Sequence, residues 1–125
     1  MTKSRALIAI VDDEESVRRA LQRLLVSAGY DAESFSGGDS FFAFLKTRRP
    51  KCVVLDLHMP GMSGFDIQTR LVSEKDRIPV IVITGHDTPQ TRQRVLDAGA
   101  VEYLRKPVDA QVLLAAIAAA IGSSP

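Results

Sequence analysis

Short apolar runs alternate with longer amphipathic stretches along the chain. The apolar runs are typical of buried strands, and in the stretches between them apolar residues recur every three or four positions, as on one face of a helix. The predicted strands are residues 6–11, 32–35, 52–57, 80–84 and 101–106. The predicted helices are residues 17–28, 41–45, 65–73, 89–98 and 110–121.

This alternation of strand and helix predicts an α/β fold. Parallel strands need crossover connections, and here each crossover contains a predicted helix, so we expect a doubly wound, five-stranded parallel sheet with helices on both faces. The length of 125 residues suits one domain. We therefore expect a single domain over residues 1–125, with a structured core at about 5–121 and a tail or linker start at 122–125.

Composition narrows the class of protein. Hydrophobic residues make up 46% and charged residues 25%, which is typical of a soluble globular domain. The formal net charge of +1 argues against direct nucleic-acid binding, and no apolar run approaches the length of a membrane span. A single cysteine, Cys52, and the lack of a signal-peptide pattern lead us to expect a cytoplasmic protein with no membrane partner.

Polar side chains stand at the ends of four predicted strands. Asp56 lies in an otherwise apolar run, where an ionised carboxylate is costly unless a partner compensates it. Asp12 and Asp13 follow the first strand, Thr84 ends the fourth, and Lys106 ends the fifth. In an open α/β sheet, sites form outside the carboxyl ends of the strands, so these residues are predicted to share one pocket.

The chemistry of this pocket points to a metal and a phosphoryl group. Three neighbouring carboxylates repel one another and need a cation, and oxygen ligands favour Mg²⁺ or a similar divalent ion such as Mn²⁺. A carboxylate can accept a phosphoryl group, so Asp56 is the candidate nucleophile. Asp12 and Asp13 are candidate metal ligands, while Thr84 and Lys106 offer a hydroxyl and an ammonium to the phosphoryl oxygens.

These residues resemble the receiver domains of bacterial two-component response regulators. The resemblance covers essentially the whole chain and implies the flavodoxin-like (βα)5 receiver fold. The stretches 84–87 and 98–100 are most similar to receivers of the FixJ type. The motifs that carry the resemblance are Asp12-Asp13, Asp56, residues 59–64, Thr84 and Lys106-Pro107.

The resemblance implies a role for each pocket residue. A sensor histidine kinase would phosphorylate Asp56, with a divalent metal held by Asp13 and Asp56. Asp12 would reach the metal through water, and the backbone carbonyl of His58 would complete the protein ligands. The Lys106-Pro107 peptide bond is expected to be cis.

The resemblance also implies a signalling switch. Thr84 would move to the phosphoryl group and Tyr103 would turn inward, shifting the population between two packings. Relatives of the FixJ type carry a DNA-binding output domain, so the expected output is transcription regulation through a domain absent from this chain. The apolar final helix, 110–121, predicts a phosphorylation-dependent homodimer.

Other functions stay open from the sequence. A Mg²⁺-dependent phosphatase of the haloacid dehalogenase type would have an acid two residues after the nucleophile, where this chain has His58. A phosphorylation-independent scaffold would be expected to lack a pocket residue, and none is missing. A nucleotide-binding module would need glycines where residues 12–15 are acidic. We therefore expect a receiver rather than an enzyme. His58 and His86 are predicted as neighbours of the pocket, not as side-chain ligands of its metal.

Overall fold

A computed structural model describes residues 5–122. Strands and helices alternate strictly from the first element to the last. In chain order they are β1 (Leu7–Val11), α1 (Glu15–Ser27), β2 (Asp31–Phe35), α2 (Gly38–Leu45), β3 (Cys52–Asp56), α3 (Gly64–Ser73), β4 (Val80–Thr84), α4 (Pro89–Asp97), β5 (Glu102–Arg105) and α5 (Ala110–Gly122).

The five strands form one parallel sheet in the order β2-β1-β3-β4-β5. The chain adds β2 on one side of β1 and then places β3 on the other side, so the direction of winding reverses between β1 and β3. A reversal of this kind opens a crevice beyond the carboxyl ends of the two strands. The predicted doubly wound sheet is confirmed, and its topology locates the site.

Apolar side chains cover both faces of the sheet. Alternate residues of β1 point to opposite faces, with Ile8 and Ile10 in one cluster and Ala9 and Val11 in the other. Helices α1 and α5 cover the first face, whereas α2, α3 and α4 cover the second. Burial on both faces explains why the central strands are continuous apolar runs and why Asp56 stands out among them.

Several element boundaries differ from the prediction by one or two residues. β5 ends at Arg105, so Lys106 lies just beyond the strand rather than within it. β3 ends at Asp56, although the backbone N–H of Leu57 still donates to Ile83 of β4. α5 continues through Gly122, which was predicted to begin the tail, and the other predicted tail residues lie outside the described part of the chain. Within residues 5–122, no helix is long and apolar enough to span a membrane.

Candidate functional site

The residues predicted from the sequence converge at the carboxyl-terminal edge of the sheet. Asp12 directly follows β1, and Asp56 is the last residue of β3. Thr84 ends β4, and Lys106 directly follows β5. Because all strands are parallel, these four ends face the same side. The chemical roles of the four residues stay predictions at this point.

Three carboxylates form a cluster beside the β1–β3 boundary. Asp12, Asp13 and Asp56 each offer an oxygen, and these oxygens lie within 4.8 Å of one another. Asp12 and Asp56 are buried, whereas Asp13 is exposed. Asp12 Oδ1 accepts a hydrogen bond from the backbone N–H of Glu14 over 2.9 Å. The cluster therefore has a buried floor and a side that is open to solvent.

The ammonium of Lys106 bridges the acidic residues. Its Nζ lies 2.9 Å from Asp12 Oδ2, 3.3 Å from Asp56 Oδ1 and 3.6 Å from Glu14 Oε1. The Lys106-Pro107 peptide bond is cis, as predicted. Burial disfavours the charged ammonium, but contacts with Asp12 and Asp56 outweigh it and raise the pKa of Lys106. Lys106 therefore stays positively charged within the pocket.

One cation does not compensate the acidic cluster completely. The pKa of Asp56 is raised to about 6, because burial and, to a lesser extent, the Asp12 carboxylate outweigh the opposite effect of Lys106. Asp12 Oδ2 is buried, and apart from its ion pair with Lys106 it has no hydrogen-bond partner among residues 5–122. Uncompensated carboxylate oxygens fit a hard divalent ion such as Mg²⁺ or Mn²⁺.

The loop between β3 and α3 is held tightly against the last residue of β3. Ser63 caps α3 and forms a reciprocal capping box with Asp66. The backbone N–H of Gly64 donates to Leu57 over 2.9 Å, and a Cβ at Gly64 would lie 2.7 Å from the Asp56 carbonyl oxygen. Only glycine allows this approach, so the packing fixes the backbone that carries Asp56.

Thr84 lies at the base of the same edge. Its side chain is buried, and its Oγ1 accepts a hydrogen bond from the backbone N–H of His86 over 3.0 Å. The backbone carbonyl of Thr84 accepts from the N–H of Lys106 over 2.8 Å. Thr84 thus ties the loop after β4 to the segment that carries the bridging lysine.

Tyr103 is not part of the acidic cluster of Asp12, Asp13 and Asp56. It packs on the sheet face that α4 helps to cover. Its side chain is buried at 3% exposure. Burial raises the pKa of Tyr103, and the nearby Asp87 carboxylate raises it further. The guanidinium carbon of Arg92 lies 5.6 Å from the ring centre. The predicted switch aromatic therefore occupies an inward position.

Sequence reasoning missed two contacts at the site. Arg18 of α1 donates from Nη1 to the backbone carbonyl of Asp12 over 2.8 Å, which anchors the acidic loop to the first helix. Glu14 places a further carboxylate oxygen near Lys106. The apolar pattern of α1 identifies only its buried face, so it gave no signal that Arg18 would reach back to the loop.

A family model described as the response regulator receiver domain matches residues 8–118. The chain belongs to this family. The receiver is 36% identical over 125 residues to Response regulator protein TodT of Pseudomonas putida, covering 100% of this chain and 55% of that protein. It is 39% identical over 118 residues to Nodulation protein W of Bradyrhizobium diazoefficiens, covering 94% and 52% respectively. The receiver thus spans about half the length of these relatives.

Solved structures agree with this assignment. The crystal structure of FixJ-N superposes on the receiver with a TM-score of 0.89 at 35% identity, covering 98% of both chains. The predicted receiver fold and the resemblance to FixJ-type receivers are therefore confirmed. Receiver domains generally bind Mg²⁺ at an acidic pocket, are phosphorylated by sensor histidine kinases and act in signalling. The acidic cluster of this chain is compatible with such a metal site.

Proposed function

We propose that this receiver accepts a phosphoryl group on Asp56 from a sensor histidine kinase and acts as a signalling switch. The observation that carries the proposal is the position of Asp56, whose buried carboxylate lies 3.3 Å from the Lys106 ammonium and next to the Asp12 and Asp13 carboxylates. In this arrangement the nucleophile, a cation and metal-binding oxygens lie within reach of one phosphoryl group.

In the transfer step, a carboxylate oxygen of Asp56 attacks the phosphorus of the donor phosphohistidine. The new O–P bond forms as the P–N bond breaks, and the imidazole leaves with the electron pair. Lys106 faces the developing negative charge, and the hydroxyl of Thr84 donates to a phosphoryl oxygen once it leaves its present contact. Both groups stabilise charge without a covalent role.

The metal would be held by Asp13, Asp56 and the backbone carbonyl of His58, with Asp12 acting through water. The approach of the Asp12, Asp13 and Asp56 oxygens to within 4.8 Å of one another, on a side where Asp13 is exposed, supports the carboxylate part of this donor set. A bound Mg²⁺ or Mn²⁺ supplies positive charge that offsets the carboxylates and the incoming phosphoryl group.

The output is proposed to pass through Thr84 and Tyr103 to the surface of α4, β5 and α5. Thr84 lies at the edge of the site and accepts a hydrogen bond from the loop before α4, and Tyr103 packs under that helix, which supports this route. Response regulator protein TodT is about twice as long as this chain, which leaves room for an output domain, so we propose a DNA-binding output domain and transcription regulation for the whole protein.

We also propose that phosphorylation strengthens a homodimer through α5. This helix is mostly alanine and larger aliphatic residues, and Val112 is 50% exposed on it. Sedimentation with and without beryllofluoride, a phosphoryl mimic, would test this, and an unchanged sedimentation coefficient would refute it.

Intact-mass spectrometry tests the proposed acceptor chemistry. The protein is incubated with Mg²⁺ and a small acyl phosphate, beside Asp56→Asn and, as a matched control, Asp31→Asn on the exposed edge of β2. We expect the mass of one phosphoryl group on the wild type and the control only. A folded wild type that gains none, even with a kinase, would favour a scaffold, and donor turnover without a labelled protein would favour a phosphatase.

A further inference from the structure

The two histidines of the chain form a pair on the loops that follow β3 and β4. His58 lies on the loop after β3 and His86 on the loop after β4. These strands are parallel neighbours, and Asp56 is in register with Ile83, so the two loops leave the sheet side by side. The ring centres of His58 and His86 are 5.0 Å apart at an interplanar angle of 90°.

This separation is compatible with two imidazoles that share a metal ion, as well as with a simple edge-to-face ring contact. With a Zn–N distance of about 2.1 Å and a ring centre about 1.1 Å beyond each nitrogen, tetrahedral coordination puts the ring centres about 5.2 Å apart. A right angle at the metal reduces the separation to about 4.5 Å. The observed 5.0 Å lies between these limits. The perpendicular planes are no obstacle, because each ring rotates about its own metal–nitrogen bond.

The donor chemistry separates this pair from the acidic cluster. Mg²⁺ prefers oxygen ligands, whereas imidazole nitrogen favours Zn²⁺ and other transition metals. Both histidines are exposed, so an ion can reach them from solvent and complete its coordination with water. The chain contains 2 histidines, and both are in this pair.

We propose that His58 and His86 form a second metal site, which takes one transition-metal ion such as Zn²⁺ and is distinct from the carboxylate site. An ion held by both rings links the two loops that border the phosphorylation pocket. The backbone N–H of His86 also donates to Thr84 Oγ1, so an ion that restrains His86 also restrains the loop around the proposed switch hydroxyl. One consequence of the metal site rests on the proposed function: Zn²⁺ bound to the two histidines slows phosphorylation of Asp56.

Zinc titration of the untagged protein tests the site without any phosphoryl donor. Calorimetry is run in a large excess of Mg²⁺, which occupies the carboxylates, with the wild type, His86→Ala and His86→Phe. His86→Phe keeps an aromatic ring against His58 but removes the nitrogen donors. We expect one Zn²⁺ per wild-type chain, at least tenfold weaker binding in both variants, and shifts of both imidazole NMR signals in the wild type.

Two results would overturn the site. Equal zinc affinity in the wild type and His86→Phe would place the ion on the carboxylates, and no zinc binding by the wild type would reduce the pair to a ring contact. Circular dichroism confirms that each variant is folded.

A second experiment tests separately whether zinc slows the phosphorylation of Asp56. Phosphorylation by an acyl phosphate in excess Mg²⁺ is expected to be several-fold slower with Zn²⁺ in the wild type and unaffected by it in His86→Phe. Zinc binding to the pair with an unchanged phosphorylation rate would refute the inhibition while the site stands. A protein that is never phosphorylated would refute the proposed function without touching the zinc titration.

Discussion

Replacing Asp56 with Asn is expected to stabilise the metal-free protein at neutral pH. The wild-type carboxylate is buried beside Asp12, and its pKa rises from 3.8 to about 6. At about 1.4 kcal/mol per pKa unit, ionising this group in the folded protein costs about 3 kcal/mol. Asn avoids this cost but loses the contact with Lys106, so we expect a gain of about 1–3 kcal/mol in the free energy of unfolding.

The pH dependence of this gain follows from the direction of the shift. Between pH 3.8 and about 6 the folded protein holds a proton on Asp56 that the unfolded chain has lost, so wild-type stability falls as pH rises through this range. The free-energy cost of ionising Asp56 in the folded protein reaches its full value above pH about 6 and is about half as large at pH 5. The advantage of Asp56→Asn should therefore shrink on acidification, and added Mg²⁺ should shrink it at pH 8 by stabilising the wild type.

Urea unfolding in EDTA at pH 5 and pH 8 measures these differences, with exposed Asp31→Asn as the matched control. We expect Asp31→Asn to differ little from the wild type at either pH. The reasoning would be refuted if Asp56→Asn were no more stable than the wild type at pH 8, or if its advantage were the same at both pH values.

Three further substitutions test the supports of the site by urea unfolding. Gly64→Ala places a Cβ 2.7 Å from the backbone of Leu57 and should cost about 1–3 kcal/mol, whereas Gly37→Ala meets nothing within 4 Å and should cost less; equal costs would contradict the close-approach argument. Ser63→Ala removes the cap of α3 and should cost about 0.5–2 kcal/mol, so an unchanged midpoint would show that the capping box is not needed. Lys106→Met leaves two buried carboxylates without their cation and should cost about 3–5 kcal/mol at pH 8 without metal, and a neutral effect would contradict the bridging role.

The sequence predicts the fold well because the continuous apolar runs of the strands and the three-to-four-residue repeat of the helices are both strong. The central strands are apolar on both faces, and the parallel topology follows from helices that connect every pair of successive strands. Element ends are predicted less well: nothing in the composition of residues 101–106 shows that the strand ends at Arg105 and that the side chain of Lys106 reaches Asp12.

The members of the candidate site are predictable for the same topological reason, since Asp12, Asp56 and Thr84 all lie at strand ends. Their contacts are not. The hydrogen bond from Arg18 to Asp12 depends on how α1 packs on the sheet, and the His58–His86 contact depends on the paths of two separate loops. Such contacts arise from tertiary packing, which a one-dimensional pattern does not record.

The central claim is that Asp56 itself carries the phosphoryl group. Borohydride reduces an aspartyl-phosphate to homoserine, so reduction after phosphorylation, followed by proteolysis and peptide mass spectrometry, identifies the modified residue. We expect homoserine at position 56 in a reaction that requires Mg²⁺ or Mn²⁺. Conversion of Asp12 or Asp13 instead, or phosphorylated protein with an unmodified Asp56, would contradict the account.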